Sequence, residues 1–299
     1  MPSRPSIAIA PAAGVAELED DGNLLDDEGQ LLAEALRQRG ADVTACVWDE
    51  ADVDWATYDL VVVRSTWDYA MRRPAYLAWA EHVSTVSRLL NPTELLTWNT
   101  DKRYLDDLAQ AGVPVVPSQF IDPGQPVEHD WLHTEHVVKP SVSVGSKDTL
   151  RLGADEAARS IAHVSAIVDT GRTALVQPYL NKIDASGETA MLFFNGEFSH
   201  SICKAAILKR GAGLVDGLFA PEVITARTPS DAEMAVGGQA LSAIPSASPP
   251  LYARVDVLPS QRGPVVLEVE LTEPSMFLTY APGSDARFAA AIFDALEDR

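Results

Sequence analysis

The 299 residues are 46 % hydrophobic and 22 % charged, with a formal net charge of −20; this is an ordinary globular composition, too long for one core and expected to form two or three subdomains. A surface this acidic repels phosphate backbones and anionic lipid, which argues against nucleic acid and membrane as partners. Cys46 and Cys203, the only cysteines, lie far apart in apolar surroundings, which argues against a disulfide framework and for a reducing, cytoplasmic setting.

The N-terminal third alternates strand and helix signals. Residues 7–11 read as a short buried strand ending in small residues, and residues 24–39 repeat apolar positions at helical spacing until Gly40 stops them. Residues 42–48 and 60–64 are further strands, followed by a helix over about 74–89. Such alternation predicts an open parallel sheet, whose ligands bind beyond the carboxyl ends of its strands, where residues 11–14 and 65–69 fall. A helix over 100–110 closed by Gly112 comes next, then an extended stretch 113–120 punctuated by Pro114 and Pro117. Strands at 135–140 and 149–152, a helix at 154–170 and a strand at 174–180 follow. Strands are then expected to dominate up to Leu271, including a hairpin of 191–194 with 198–203 through Asn195-Gly196 and a loop at 244–250. A last helix covers 284–296. The expected fold is therefore α/β with α+β subdomains: an N-terminal open parallel α/β domain (1–98), a small central domain (99–182) and a C-terminal antiparallel-sheet domain (183–299). No run of about 18 apolar residues occurs, and residues 1–13 lead at once into acidic sequence, so neither secretion nor membrane insertion is expected.

Residues 252–258 and 265–271 each carry ionised groups at i and i+2, Arg254 with Asp256 and Glu268 with Glu270. On strands, that spacing places both members of each pair on one face about 7 Å apart. If residues 259–264 turn the chain back, one cation and three carboxylates converge, and Mg2+ would relieve their repulsion. An antiparallel hairpin with a wet polar face reads equally well from this spacing.

An anionic ligand would need a local cationic pocket, and only six lysines exist to build one: Lys102, Lys139, Lys147, Lys182, Lys204 and Lys209. Lys139 ends an apolar strand just before a small-residue loop containing Ser141, Ser143, Gly145 and Ser146, a pattern that suits a polyphosphate or an exposed turn. The glycine spacing is not that of a P-loop. Lys102 is expected in the first turn of its helix, where the macrodipole does not favour a cation, so it is either aimed at a ligand or a plain surface residue. Gln177-Pro178-Tyr179-Leu180 ends a strand in a bend whose backbone could meet an adenine edge or simply connect elements. In the strand-end sequence 64–69, Arg64 could pair with a substrate carboxylate and Asp68 with an ammonium, or the segment could be a Trp-Asp-Tyr packing cluster. His133 and His136 lack a third zinc ligand, and no signature links Ser65, Ser143 or Ser275 to a histidine in a hydrolase triad.

Taken in order, these motifs resemble the ATP-grasp superfamily of ADP-forming carboxylate ligases, which includes glutathione synthetase and D-alanine:D-alanine ligase. The resemblance spans 99–275: Asp101-Lys102, Ala111-Gly112-Val113-Pro114, Val138-Lys139-Pro140 with its loop, Gln177 to Leu180, Gly187-Glu188, Arg254-x-Asp256 and Glu268-x-Glu270. It implies ATP and Mg2+ as cofactors, with a lid as the central domain and a pre-ATP-grasp domain before it. By the same resemblance, Lys102 and Lys139 contact the ATP phosphates and the 141–146 loop closes over them. Gln177, Tyr179 and Leu180 border adenine, and Glu188 holds the ribose. Asp256, Glu268 and Glu270 hold Mg2+, Arg254 steadies the transferring phosphoryl group, and Lys204 adds a cation near the phosphates. Two departures stand out: relatives usually have asparagine at the place of Glu270, and their phosphate loops are richer in glycine.

The 64–69 sequence, together with residues 268–275, narrows the resemblance to the O-ureido-serine cyclo-ligases of D-cycloserine biosynthesis. That implies a small amino-acid substrate bound by Arg64, Ser65, Thr66, Asp68 and Ser275. Its carboxylate would be activated as an acyl phosphate and attacked by its own oxyamino nitrogen, with loss of CO2 and ammonia. A ligase joining two separate substrates and a non-catalytic ATP-binding protein are the rival readings, and a homodimer stays open.

Overall fold

The computed structural model describes residues 4–15, 26–208, 210–211 and 223–297. Lys209 and the expected helix start at Leu24 lie outside them. The first sheet is built from β1 (Ser6–Ala10), α1 (Asp27–Gln38), β2 (Asp42–Ala45), β3 (Leu60–Val63), α2 (Tyr69–Val86) and β4 (Leu89–Leu90). Its strands are parallel in the order β2-β1-β3-β4, so the winding reverses between β1 and β3 and their carboxyl ends frame the crevice there. Strand periodicity splits the core: Ile7 and Ile9 face one cluster with Leu60 and Val62, whereas Ala8 and Ala10 face another with Trp48, Tyr76 and Trp79. The Asp26 side chain caps α1 by accepting from Gly29 N–H at 2.7 Å. Helix α2 starts earlier than expected but is broken at Arg72 (φ −136°, ψ 30°), because Pro74 lacks a backbone donor and its ring crowds the preceding turn.

Two short helices, α3 (Thr93–Asn99) and α4 (Tyr104–Gln110), replace the single helix expected over 100–110. Lys102 accordingly precedes α4 rather than lying in its first turn, and its N–H donates to Ser141 O at 3.0 Å. The second sheet comprises β5 (Gln119–Ile121), β6 (His136–Pro140), β7 (Leu150–Leu152) and β8 (Ala174–Pro178), with α5 (Ala157–Val168) before β8. It is antiparallel in the order β5-β8-β6-β7, and Val164 and Ile167 of α5 pack on Val138, Leu152 and Val176.

After a one-turn α6 (Ile183–Ser186) come β9 (Glu188–Phe194), β10 (Glu197–Lys204), β11 (Ile224–Ala226), α7 (Asp231–Ser242), β12 (Tyr252–Ser260), β13 (Gly263–Glu270) and α8 (Ser284–Glu297). The third sheet is antiparallel, β11-β10-β9-β12-β13. The expected Asn195-Gly196 turn is present, with φ of 48° and 80°, the positive values a tight hairpin needs. Helix α7 is an addition to the expected run of strands up to Leu271, which held no helix. Its start carries a capping box of Ser230 with Glu233, but Gly237 and Gly238 weaken its helical signature. A Cβ at Gly237 would stand 2.8 Å from Met191 Cε on β9, so a larger residue there would force that side chain to shift. The outer edge of β13 is covered by earlier sequence: Val116 N–H donates to Val266 O, Val266 N–H to Pro114 O, and Val269 N–H to the Tyr104 hydroxyl. Helix α8 closes the molecule by stacking Phe288 on Phe194 at 4.6 Å and packing beside α1 in the core of the first sheet.

Candidate active site

The hairpin expected at 252–271 forms, with Arg254 opposite Glu270 and Asp256 opposite Glu268, so all four side chains share one face. A bulge after Asp256 shifts the register from there on. Arg254 Nε donates to Asp256 Oδ1 at 2.9 Å and its Nη2 to Oδ2 at 2.9 Å; Nη2 also reaches Glu270. From β10, Lys204 Nζ stands 2.7 Å from Asp256 Oδ2 and pairs with Glu188. From the turn before α4, Lys102 Nζ lies 2.8 Å from Glu268 Oε1 and donates to Ser143 O at 3.0 Å. Every carboxylate of the expected metal group is thus engaged by a protein cation. Among the described residues no three carboxylate, histidine or cysteine side chains stand as a ready ligand set.

The ionisation of these groups follows from burial and partners. Burial raises Asp256, but Arg254 and Lys204 outweigh it and hold the carboxyl well below its usual range. Burial likewise opposes ionisation of Glu268, yet Lys102 and Lys139 bring it to about 2. Glu270 is pushed up to about 7, because burial and the charges of Glu268 and Asp256 exceed what Arg254 returns. Burial, helped by Asp256, likewise lifts Glu188 to about 8 against the pull of Lys204. Lys139 moves the other way: burial lowers it, only partly offset by Glu268. It makes no hydrogen bond or ion pair among the described residues.

A cavity of about 450 Å³ lies between the second and third sheets, with part of its wall from the first. Its cationic side holds Lys102, Lys139, Lys204 and Arg254, beside Ser143, Gly145 and Ser146. The loop is clamped from behind, since Val142 and Val144 pack on the Trp48 cluster while residues 143–146 line the cavity. Gln177, Tyr179 and Leu180 line another wall. Among the described residues the Tyr179 carbonyl and Leu180 N–H there make no backbone hydrogen bond, while the Tyr179 ring is held under the Arg151 guanidinium at 3.5 Å. Glu188, Glu268, Glu270 and Ser275 complete the expected residues that reach the cavity. Ser141 and Asp256 sit behind the wall: the Ser141 backbone bridges Lys102 and Thr173, and Asp256 supports Arg254 from beneath.

Arg64, Ser65, Thr66 and Asp68 do not line the cavity. Arg64 is 1 % exposed and donates to Pro274 O at 2.6 Å, and it pairs with Glu28 at 3.4 Å. Glu28 in turn accepts from Met276 N–H at 2.7 Å and Leu278 N–H at 2.8 Å. Together these two side chains hold the 274–278 segment, whose Ser275 carbonyl receives Arg254 Nη1 at 3.2 Å. Ser65 binds Asp26, Thr66 is buried, and Asp68 accepts from Trp48 Nε1 at 2.9 Å and pairs with Arg72. The same loop does reach the cavity, through Trp67 and Tyr69. Sequence reasoning passed over both of these, along with Asn99, Glu273 and Phe277. Glu273 was within reach as the next carboxylate after Glu270, but it lies beyond the strand, where the i+2 pattern ends.

Residues 7–91 match the family model described as the N-terminal domain of D-cycloserine synthetase DcsG. The chain is 37 % identical over 282 residues to the cycloserine biosynthesis protein DcsG of Streptomyces lavendulae, covering 89 % of this chain and 93 % of that one. The crystal structure of D-cycloserine synthetase DcsG superposes with a TM-score of 0.85 at 34 % identity, over 97 % of this chain and 99 % of that one. A D-alanine–D-alanine ligase from Bacillus anthracis aligns over 98 % of this chain and 97 % of its own at TM-score 0.68 and 14 % identity, a likeness of fold. The ATP-grasp ligase PsnB bound to a minimal precursor does so over 98 % and 99 % at TM-score 0.63 and 18 % identity.

Proposed function

Because the chain belongs to the D-cycloserine synthetase family of ATP-grasp ligases, we propose that it closes O-ureido-D-serine to D-cycloserine at the expense of ATP. It is an enzyme of the C–N bond-forming class, acting in D-cycloserine biosynthesis. The proposal concerns the reaction itself: the substrate carboxylate becomes an acyl phosphate and the substrate's own oxyamino nitrogen attacks it. The carbamoyl group leaves as CO2 and ammonia, and ATP and one water are consumed as ADP and phosphate form. Ring closure within one molecule gains the effective molarity of an intramolecular reaction.

The observation that carries this reading is the pairing, in one cavity, of a half-buried Lys139 ammonium that has no partner among the described residues with a hairpin of over-crowded carboxylates. That donor set fits a polyphosphate with a hard cation. In the proposal Lys102, Lys139 and the 141–146 loop hold the phosphates, and the free Tyr179 and Leu180 backbone groups meet the adenine edge beside Gln177. Glu188 holds the ribose, and its raised affinity for a proton suits a hydroxyl neighbour. Glu268 and Glu270 would hold Mg2+, while Asp256, behind the wall, keeps Arg254 and Lys204 in place beside them. When bound, Mg2+ supplies charge neutralisation at the phosphoryl oxygens. Arg254 orients the acceptor carboxylate, fixed by Asp256 and the Ser275 carbonyl. Such chemistry is mostly positioning and electrostatics, so no side-chain nucleophile is asked of the protein. Arg64, Ser65, Thr66 and Asp68 support the substrate end through the 274–278 segment and through Trp67 and Tyr69.

An ADP-release screen against ureido and amino-oxy amino acids, with product masses measured, tests the reading. ADP formed from O-ureido-D-serine alone, with the mass of D-cycloserine appearing, is expected. A requirement for a second amine would make the protein an intermolecular ligase. ATP binding with no ADP from any substrate would make it non-catalytic.

A further inference from the structure

Of the four glutamates that line the cavity, three are matched by a cation: Glu188 by Lys204, Glu268 by Lys102 and Glu270 by Arg254. Glu273 is the exception. It is 8 % exposed, and its carboxylate makes no hydrogen bond or ion pair among the described residues. The cations whose fields reach it are already committed: Arg254 to Asp256 and Glu270, Lys102 to Glu268 and Ser143, and Arg64 to Glu28 and Pro274. Burial and the Glu270 charge accordingly push the Glu273 carboxyl well above its usual range. A carboxylate buried without a counter-charge is costly, and its place in the cavity wall leaves a ligand to supply one.

The neighbourhood defines that ligand. Tyr69 lies within reach of the Glu273 charge and lines the same cavity with Trp67, Thr272 and Phe277, so Glu273 is the carboxylate without a cation in a mostly apolar recess that Glu268 and Glu270 also border. We infer that Glu273 receives the α-ammonium group of the amino-acid substrate, with the Tyr69 ring closing the recess around it. This inference rests on the proposed reaction, because an α-ammonium and a carboxylate hang from one carbon. With the carboxylate at Arg254, the ammonium must fall beside it, and Glu273, two residues before the Ser275 carbonyl that receives Arg254, is the unmatched anion there. Lys139, the unmatched cation, belongs instead with Glu268 and Glu188 toward the phosphate loop.

Calorimetric binding of O-ureido-D-serine and of its 2-deamino analogue, to the full chain with Mg2+ and a non-hydrolysable ATP analogue, tests the assignment. Wild type is expected to prefer the amino acid by about 30-fold or more, the loss that accompanies an unpaired buried charge. Glu273→Gln should bring that ratio close to one by weakening the amino acid alone, and Glu273→Asp, one methylene short, should give an intermediate ratio. A variant that keeps the full preference, or that loses both ligands equally, overturns the assignment, as does failure of wild type to bind O-ureido-D-serine. The two proposals part cleanly: a Glu273-dependent preference without ring product sinks the reaction and spares the subsite. Ring product with the preference intact in Glu273→Gln does the reverse.

Discussion

Asn99 is the residue on which the placement of the carboxylate strand turns. Its Nδ2 donates to Val269 O at 2.7 Å, and its Oδ1 accepts from Leu271 N–H at 2.7 Å and from the Thr272 hydroxyl at 3.3 Å. These backbone groups flank Glu270 on the outer edge of β13, buried away from water. Asn99→Leu keeps the volume and strands both groups. Each unmet buried partner costs about 1–3 kcal/mol, so the gross loss is about 2–6 kcal/mol. The added apolar burial of leucine returns at most about 2 kcal/mol, which, taken from the middle of that range, leaves a net loss of about 2 kcal/mol or more. Urea unfolding followed by far-ultraviolet circular dichroism should show the midpoint falling with an unchanged slope. Asn99→Asp, which keeps the acceptor for Leu271 but loses the donor to Val269, tests which half of the bracket matters. Mg-dependent ADP release under native conditions should fall in both variants, because Glu268 and Glu270 ride on the same strand. A loss under about 1 kcal/mol for Asn99→Leu would mean that water or a shift of β13 satisfies those groups, and the reasoning fails.

Other outcomes follow from the same network. Glu268→Gln keeps an acceptor for Lys102 but removes the charge, so Mg-dependent ADP release should drop about 100-fold or more while the far-ultraviolet spectrum of the native protein is kept; unchanged turnover refutes the metal role. Arg64→Met leaves Glu28 without its cation and should cost about 3–5 kcal/mol, raising KM for ATP and for the amino acid together. A rise in the amino-acid KM alone would show that Arg64 meets the substrate directly. Glu188 is an acid whose folded value, about 8, lies above its ordinary 4.5, so the folded protein binds that proton more tightly than the unfolded chain. Its stability contribution is therefore greatest below about 4.5 and is lost as pH rises toward about 8. In nucleotide- and metal-free protein, Glu188→Gln should flatten that part of the pH dependence of the urea midpoint, and an unaltered slope counts against it.

Much of this architecture is legible in local sequence, for reasons that lie in the backbone. The apolar run 60–63, the Asn195-Gly196 turn and the paired charges of 254–256 and 268–270 follow from two-residue and turn periodicities, which the chain obeys whatever surrounds it. Helix α7 was not legible, because two glycines weaken its helical signature and one of them, Gly237, answers to the close approach of Met191 from another strand. The position of Lys102 before α4 likewise depends on the Ser141 carbonyl that fixes its backbone.

The sequence by itself settled which ionisable residues exist and which faces they occupy, since those follow from short-range stereochemistry. The tertiary structure alone decided how they divide the work. It turned Arg64 from the cavity toward Glu28 and Pro274, set Asp256 beneath Arg254, and left Lys139 and Glu273 in the same cavity without partners among the described residues. Pairing of buried charges depends on distances of a few ångströms between segments far apart in the chain, and on the low dielectric that makes an unmatched group costly. Neither is written in the spacing of residues along one strand.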